Sequence, residues 1–171
     1  MPRYVEKLLV PVRIVQLGGE PIVGSVSVAE RAELRPGPET LLEVLNTPRR
    51  VIPLLREKDH AIVLLNRLGI EYVEPDPSVE ASLVRPANYR VTREERVEVR
   101  FLGGHGIEGR LEMELPEHIN RASDYMNGPE DFFPLVTRNL TLLVNKSRVS
   151  GTRVFESSPK PISIESFLRA E

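Results

Sequence analysis

Val97 to Met113 reads VEVRFLGGHGIEGRLEM. Val97, Val99 and Phe101 alternate with Glu98 and Arg100, the period of a strand with one face buried. Gly103 and Gly104 interrupt the alternation, and glycine accepts the positive φ of a tight turn at no steric cost. A second alternation follows at Ile107, Gly109, Leu111 and Met113. Strand, glycine turn and strand make a β-hairpin. Gly109 falls inside the second strand, where a missing side chain permits the sharp bend of a small barrel.

The same hairpin is written earlier in the chain. Val12, Ile14, Leu17, Gly18, Gly19, Ile22, Gly24, Val26 and Val28 recur 85 positions later as Val97, Val99, Leu102, Gly103, Gly104, Ile107, Gly109, Leu111 and Met113. LNTPRRVIPL, from Leu45, falls on MNGPEDFFPL, from Met126, at a separation of 81. VLLNRLGI, from Val63, falls on LLVNKSRV, from Leu142, at 79. Three blocks agree in order and pattern, and their small length differences are those of loop insertions. The sequence therefore reads as two copies of one unit.

Each unit continues from its hairpin into a short helix. In the second copy it is PEHINRASDYMNG, with Ile119, Ala122 and Met126 at helical spacing and Asn127-Gly128 as a stop. In the first it is PETLLEVLN, with Leu41, Val44 and Leu45. Pro and Glu open both, suiting the unpaired donors and dipole of a helix start. Strands RVIPLL and HAIVLLN, or DFFPLV and TLLVNKSRV, follow, with a last short strand at IEYVE or GTRVF. The expected fold is mainly β with short helices: two tandem five-stranded small barrels, each with a helix between strands two and three. The first barrel spans 8–75, a linker 76–92, the second barrel 93–157 and a tail 158–171.

Composition narrows function by exclusion. The 171 residues include no Cys and no Trp, with aromatics at 5%. The core must be aliphatic, and disulfides, thiolate nucleophiles and zinc–thiolate sites are excluded. The net charge of −2 and the lack of a basic excess in either unit weigh against general nucleic-acid binding. No apolar run reaches the roughly 18 residues of a membrane span, and MPRYVEKLLVPVRIV has no signal-peptide pattern, so a cytoplasmic, membrane-free chain is expected. His60, His105 and His118 have no metal-ligand spacing. Ser123-Asp124 has no accompanying histidine. The glycine turns join strand to strand, whereas a phosphate loop leads into a helix. No catalytic residue, metal or cofactor is expected.

In the order of its strands, VEVRFLGGHGIEGRLEM followed by LTLLVNKSRVSGTRV resembles the Sm-like fold, the family that includes bacterial Hfq. The sequence also resembles uncharacterised bacterial domains with a helix like RASDYMN before an apolar strand. The Sm-like resemblance implies assembly by pairing of open strand edges, and RNA binding at the loop between strands four and five. That loop falls on Asn66 and Arg67 in the first copy and on Asn145 and Lys146 in the second. The Tyr-Lys-His of the Hfq loop and the Arg-Gly of eukaryotic Sm proteins are absent. The same asparagines also fit plain turns, since Asn tolerates left-handed backbone.

Two functions follow: a non-enzymatic protein interaction module that pairs with itself, or an RNA-binding protein acting through those four residues. The first draws support from the hairpin faces. Outward positions of the second hairpin are charged (Glu98, Arg100, Glu108, Arg110), whereas the first has Arg13, Val15, Val23, Ser25 and Ser27. An apolar face left in water risks association, so Val15, Val23, Ser25 and Ser27 are expected at an interface. ISIESFLRAE is expected to dock as a short helix through Phe167 and Leu168.

Overall fold

The computed structural model describes residues 6–155 except 19 and 120. Five strands come from the first half of the chain: β1 (Lys7–Gln16), β2 (Ile22–Ala29), β3 (Val51–Arg56), β4 (Ile62–Asn66) and β5 (Ile70–Pro75). Five come from the second: β6 (Arg93–Phe101), β7 (Gly106–Met113), β8 (Phe132–Val136), β9 (Thr141–Asn145) and β10 (Val149–Val154). Helices α1 (Leu41–Leu45), α2 (Ala81–Val84) and α3 (Ala122–Met126) are all short.

All ten strands form one antiparallel sheet in the order β10-β6-β7-β8-β9-β5-β1-β2-β3-β4. The mainly β expectation holds, but the strands expected to form two tandem five-stranded barrels join in a single sheet that is not closed. The sheet is open, with β10 and β4 at its edges. It is continuous because β5 pairs with β9, Tyr72 opposite Val144 and Val73 opposite Leu143. That link is backbone pairing at a strand edge, which side-chain periodicity does not encode.

The β1–β2 and β6–β7 hairpins share a register, Val12 facing Gly24 and Val97 facing Gly109. The strand glycines are required by close approach. A Cβ on Gly24 would lie 2.3 Å from the Leu55 carbonyl oxygen, and one on Gly109 would lie 2.8 Å from the Leu135 side chain and 2.9 Å from the Val136 carbonyl oxygen. The backbones of β3 and β8 therefore cross β2 and β7 where a side chain would otherwise stand.

The helices differ from expectation in detail. In α1 the start is a capping box, Thr40 Oγ1 accepting from Glu43 N at 3.3 Å and Glu43 Oε1 accepting from Thr40 N at 3.0 Å, so Pro38 lies outside the helix. The single helix expected over 116–128 divides into a 3-10 turn (Glu117–Ile119) and α3. Ile119 is exposed while Ala122 is buried, so the apolar stripe needed to join them is broken.

Two apolar cores result, aliphatic for the most part but holding Phe101, Phe132 and Phe133 as well, which the expectation of an aliphatic core left out. Val10, Val12, Ile14, Val26, Leu41, Leu45, Ile52 and Leu54 build the first, and Val97, Val99, Phe101, Leu111, Met113 and Leu135 build the second. They are not self-contained. Phe132 and Leu143, from the second half of the chain, are buried in the first core, and Tyr72, from the first half, packs on the second.

Candidate interaction surface

Leu142, Leu143 and Val144 on β9 are all buried. Consecutive apolar residues in a strand signal burial on both faces. Here Leu142 and Val144 join the second core and Leu143 joins the first. The run IVLL on β4 is written the same way, yet β4 has one buried face only. Leu65 is buried and Val63 packs against the core, but Leu64 and Ile62 are each 64% exposed. Leu143, which matches Leu64 in the aligned blocks, is fully buried. At the other edge, β10 presents Ser150, Gly151, Arg153 and Val154 to solvent. Among the described residues the sheet thus ends on two backbone edges with no strand paired to them, and the β4 edge is apolar.

Side-chain bonds reinforce the β5–β9 joint. Asn46, the residue capping the end of α1, donates from Nδ2 to the Phe132 carbonyl at 3.1 Å and accepts from the Phe132 N–H at 2.8 Å. Asn145 donates from Nδ2 to the Ile70 carbonyl at 2.9 Å while its Oδ1 accepts from Ser147 N–H. Arg148 Nε donates to the Leu68 carbonyl at 2.6 Å. Arg67 and Asp131 form an ion pair at 2.5 Å, and His105 Nε2 lies 3.0 Å from the buried Glu71 carboxylate with its ring stacked on Phe101.

Of the four residues read as RNA contacts, three donate side-chain hydrogen bonds to carbonyls elsewhere in the protein. Arg67 is buried and also donates to the Leu45 and Arg49 carbonyls. Asn145 is fully buried. Lys146 Nζ donates to the Tyr125 and Gly128 carbonyls and lies 5.5 Å from the centre of the Tyr125 ring. Burial lowers its pKa from the usual lysine range, against the opposing pull of Glu130 and Asp131. Burial likewise pushes the neighbouring Tyr125 hydroxyl far up, with Tyr89 adding to the shift. Only Asn66 is exposed. Nor are Asn66 and Asn145 left-handed turn residues. Both are extended, with φ −66° and −81°, and each caps a 3-10 turn with its side-chain oxygen.

On the first hairpin, Val15 and Ser25 are half-buried, Ser27 is exposed and Val23 is 46% exposed. Val23 and Ser25 border an open groove of about 400 Å³ with Arg13, Arg56, His60 and Pro75. The second hairpin's face carries ion pairs instead, Arg96–Glu108 at 3.0 Å and Arg110–Glu94 at 3.7 Å. Phe167 and Leu168 lie outside the described residues.

The reading of Asn66 and Asn145 as loop residues missed their amide groups. The signal was the same residue in both aligned blocks at the end of an apolar run. Among the described residues no cluster of acidic or histidine side chains is arranged to hold a metal ion, and no helix is long and apolar enough to cross a membrane. Compared with protein-family models, with curated proteins and with solved structures, the chain finds no match.

Proposed function

We propose that this chain is a non-enzymatic self-association module, a duplicated Sm-like unit of five strands and an inserted helix whose open sheet edges pair copies of the protein. The observation that carries the reading is the exposed apolar edge strand β4. Unpaired edges template pairing with another chain, and soluble proteins blunt them with charge, proline or a covering segment. Ile62 and Leu64 do the opposite. Burying each side chain is worth roughly 1.5–3 kcal/mol, so the edge is costly to leave in water.

RNA binding through Asn66, Arg67, Asn145 and Lys146 is the competing reading. It draws little support from side chains already bonded to protein carbonyls or from a net charge of −2. Light scattering, with nucleic-acid absorbance read on the same peak, separates the two. The expected result is a multiple of the 19.3 kDa chain free of nucleic acid. A monomer at tens of micromolar removes the assembly reading. Nucleic acid retained at low salt, and lost from Arg67→Ala with Lys146→Ala, replaces it with the RNA reading.

A further inference from the structure

We infer that copies of the chain join head to tail by repeating, between molecules, the joint that β5 and β9 make within one. Asn127 of one copy clamps the backbone of Val51 in the next, and Asn66 of that next copy bonds back to Val149 of the first. This inference rests on the self-association reading above and adds the partner surface, its register and its polar contacts.

The internal joint has a donor side and a receiver side. The first half of the chain donates β5 and Asn46, and the second half receives them on β9, Phe132 and Asn145. Carried through the sequence correspondences, the second half owns a donor side as well, β10 and Asn127, and the first half owns a receiver side, β4, Val51 and Asn66. These are the two sides left open at the ends of the sheet. Tyr72 opposite Val144 and Val73 opposite Leu143 become Gly151 opposite Leu65 and Thr152 opposite Leu64. Continuing that antiparallel register sets Val154 opposite Ile62.

The apolar counterparts fit these places. Phe132 is 1% exposed in the first core, and its counterpart Val51 is 42% exposed. Val51 and Leu64 are to the second core of a neighbour what Phe132 and Leu143 are to the first core within the chain.

The asparagines carry the inference furthest. Asn46 and Asn127 end their helices in one backbone conformation, φ −90° and ψ 2° against φ −84° and ψ −3°. Neither angle is left-handed, so tolerance of that region does not explain asparagine there. In Asn46 the whole carboxamide is spent on Phe132. The Asn127 carboxamide is exposed and, among the described residues, has no hydrogen-bond partner. Asn66 repeats Asn145 in the same way. Its Oδ1 caps Leu68 N–H at 3.0 Å, and its Nδ2, which in Asn145 reaches the Ile70 carbonyl, has no partner among the described residues. Aimed as in Asn145, it meets the Val149 carbonyl of a neighbour.

The ion pairs are not repeated. Arg67–Asp131 corresponds to Lys146 facing Arg50, and Glu71–His105 to Ser150 facing Glu20. The joint between copies thus lacks both attractions and sets two cations near each other. It is the weaker joint, and assembly through it is reversible. Because its two sides differ, it is heterologous and builds a ring or an open filament.

Single-cysteine variants test the register, since the natural chain has no Cys. Ile62→Cys and Val154→Cys change exposed side chains and leave the single chain intact. Mixed and mildly oxidised, they should give the mixed disulfide dimer, and neither variant alone should crosslink. Asn127→Ala and Asn66→Asp, which keeps the capping oxygen, should each weaken association about tenfold, the effect of one or two lost hydrogen bonds, without lowering the melting temperature of the dissociated chain. Arg50→Asp should strengthen association by giving Lys146 a partner like that of Arg67. An oligomer that yields only Ile62→Cys homodimers, or no mixed disulfide, overturns the head-to-tail joint and leaves self-association standing. A monomer by light scattering at tens of micromolar overturns both.

Discussion

A single missing side chain sets the path of each half of the sheet. Gly24 and Gly109 were legible as special in the sequence, because glycine interrupts an apolar alternation at matching places. The reason was not legible. It lies in strands some 30 positions further on, whose backbone passes where a Cβ would be. The two sites are not equally strict. At Gly24 the nearest atom is a backbone oxygen at 2.3 Å, whereas at Gly109 the closest atoms belong to the Leu135 side chain at 2.8 Å. Overpacking costs about 1–3 kcal/mol where side chains can shift, and more where backbone must move. Gly24→Ala should therefore lower the melting temperature more than Gly109→Ala, and both should lower it measurably. Equal or negligible losses in thermal denaturation contradict the close-approach account. Asn145 teaches the converse lesson. The type and position of Asn145 are visible in the sequence, but a turn role points only to the loop, whereas its amide acts across 75 positions on the Ile70 carbonyl of the other half.

Strands β4 and β9 show how one sequence pattern takes on two environments. Both are continuous apolar runs ending in Asn, and both follow a strand with proline at its centre, Pro53 or Pro134. Periodicity identified them as strands and could not say what covers their second face, because the cover of β9 is another part of the chain. Helical spacing settles the short helices less well. α3 is held by one turn of buried contact, too little for helical spacing to fix its ends, and the break after Ile119 follows from that residue's exposure. A direct comparison tests the difference between the two strands. Leu143→Ala removes a side chain from a packed core and should destabilise the chain by about 2–5 kcal/mol. Leu64→Ala should cost less than about 1 kcal/mol, since an exposed side chain has little packing to lose. Urea titrations of both variants at low protein concentration give the two numbers. A large loss for Leu64→Ala would mean that the β4 face is already covered within the chain.

Across the whole molecule, the exchange of side chains between halves decides whether the chain behaves as two bodies or one. Two independent barrels, as the repeat suggested, would unfold separately. Phe132 and Leu143 sit instead in the first core, and Asn46 and Asn145 bond across the joint. Losing a buried Phe costs about 3–5 kcal/mol and a buried Leu about 2–5. Together these approach the 5–15 kcal/mol that holds a typical domain folded. The first half should therefore not survive unfolding of the second, and the chain at low concentration should show one calorimetric transition with equal van't Hoff and calorimetric enthalpies. The dependence is unequal. The first half lends Tyr72 to the edge of the second core, whereas the second lends two fully buried side chains to the first. A fragment of residues 1–90 should accordingly be unfolded by circular dichroism, and a fragment of residues 91–171 should retain more strand signal. Two resolved transitions in the intact chain, or a cooperatively folded 1–90 fragment, would show that each core stands alone and that the buried Phe132 and Leu143 contribute little to the first.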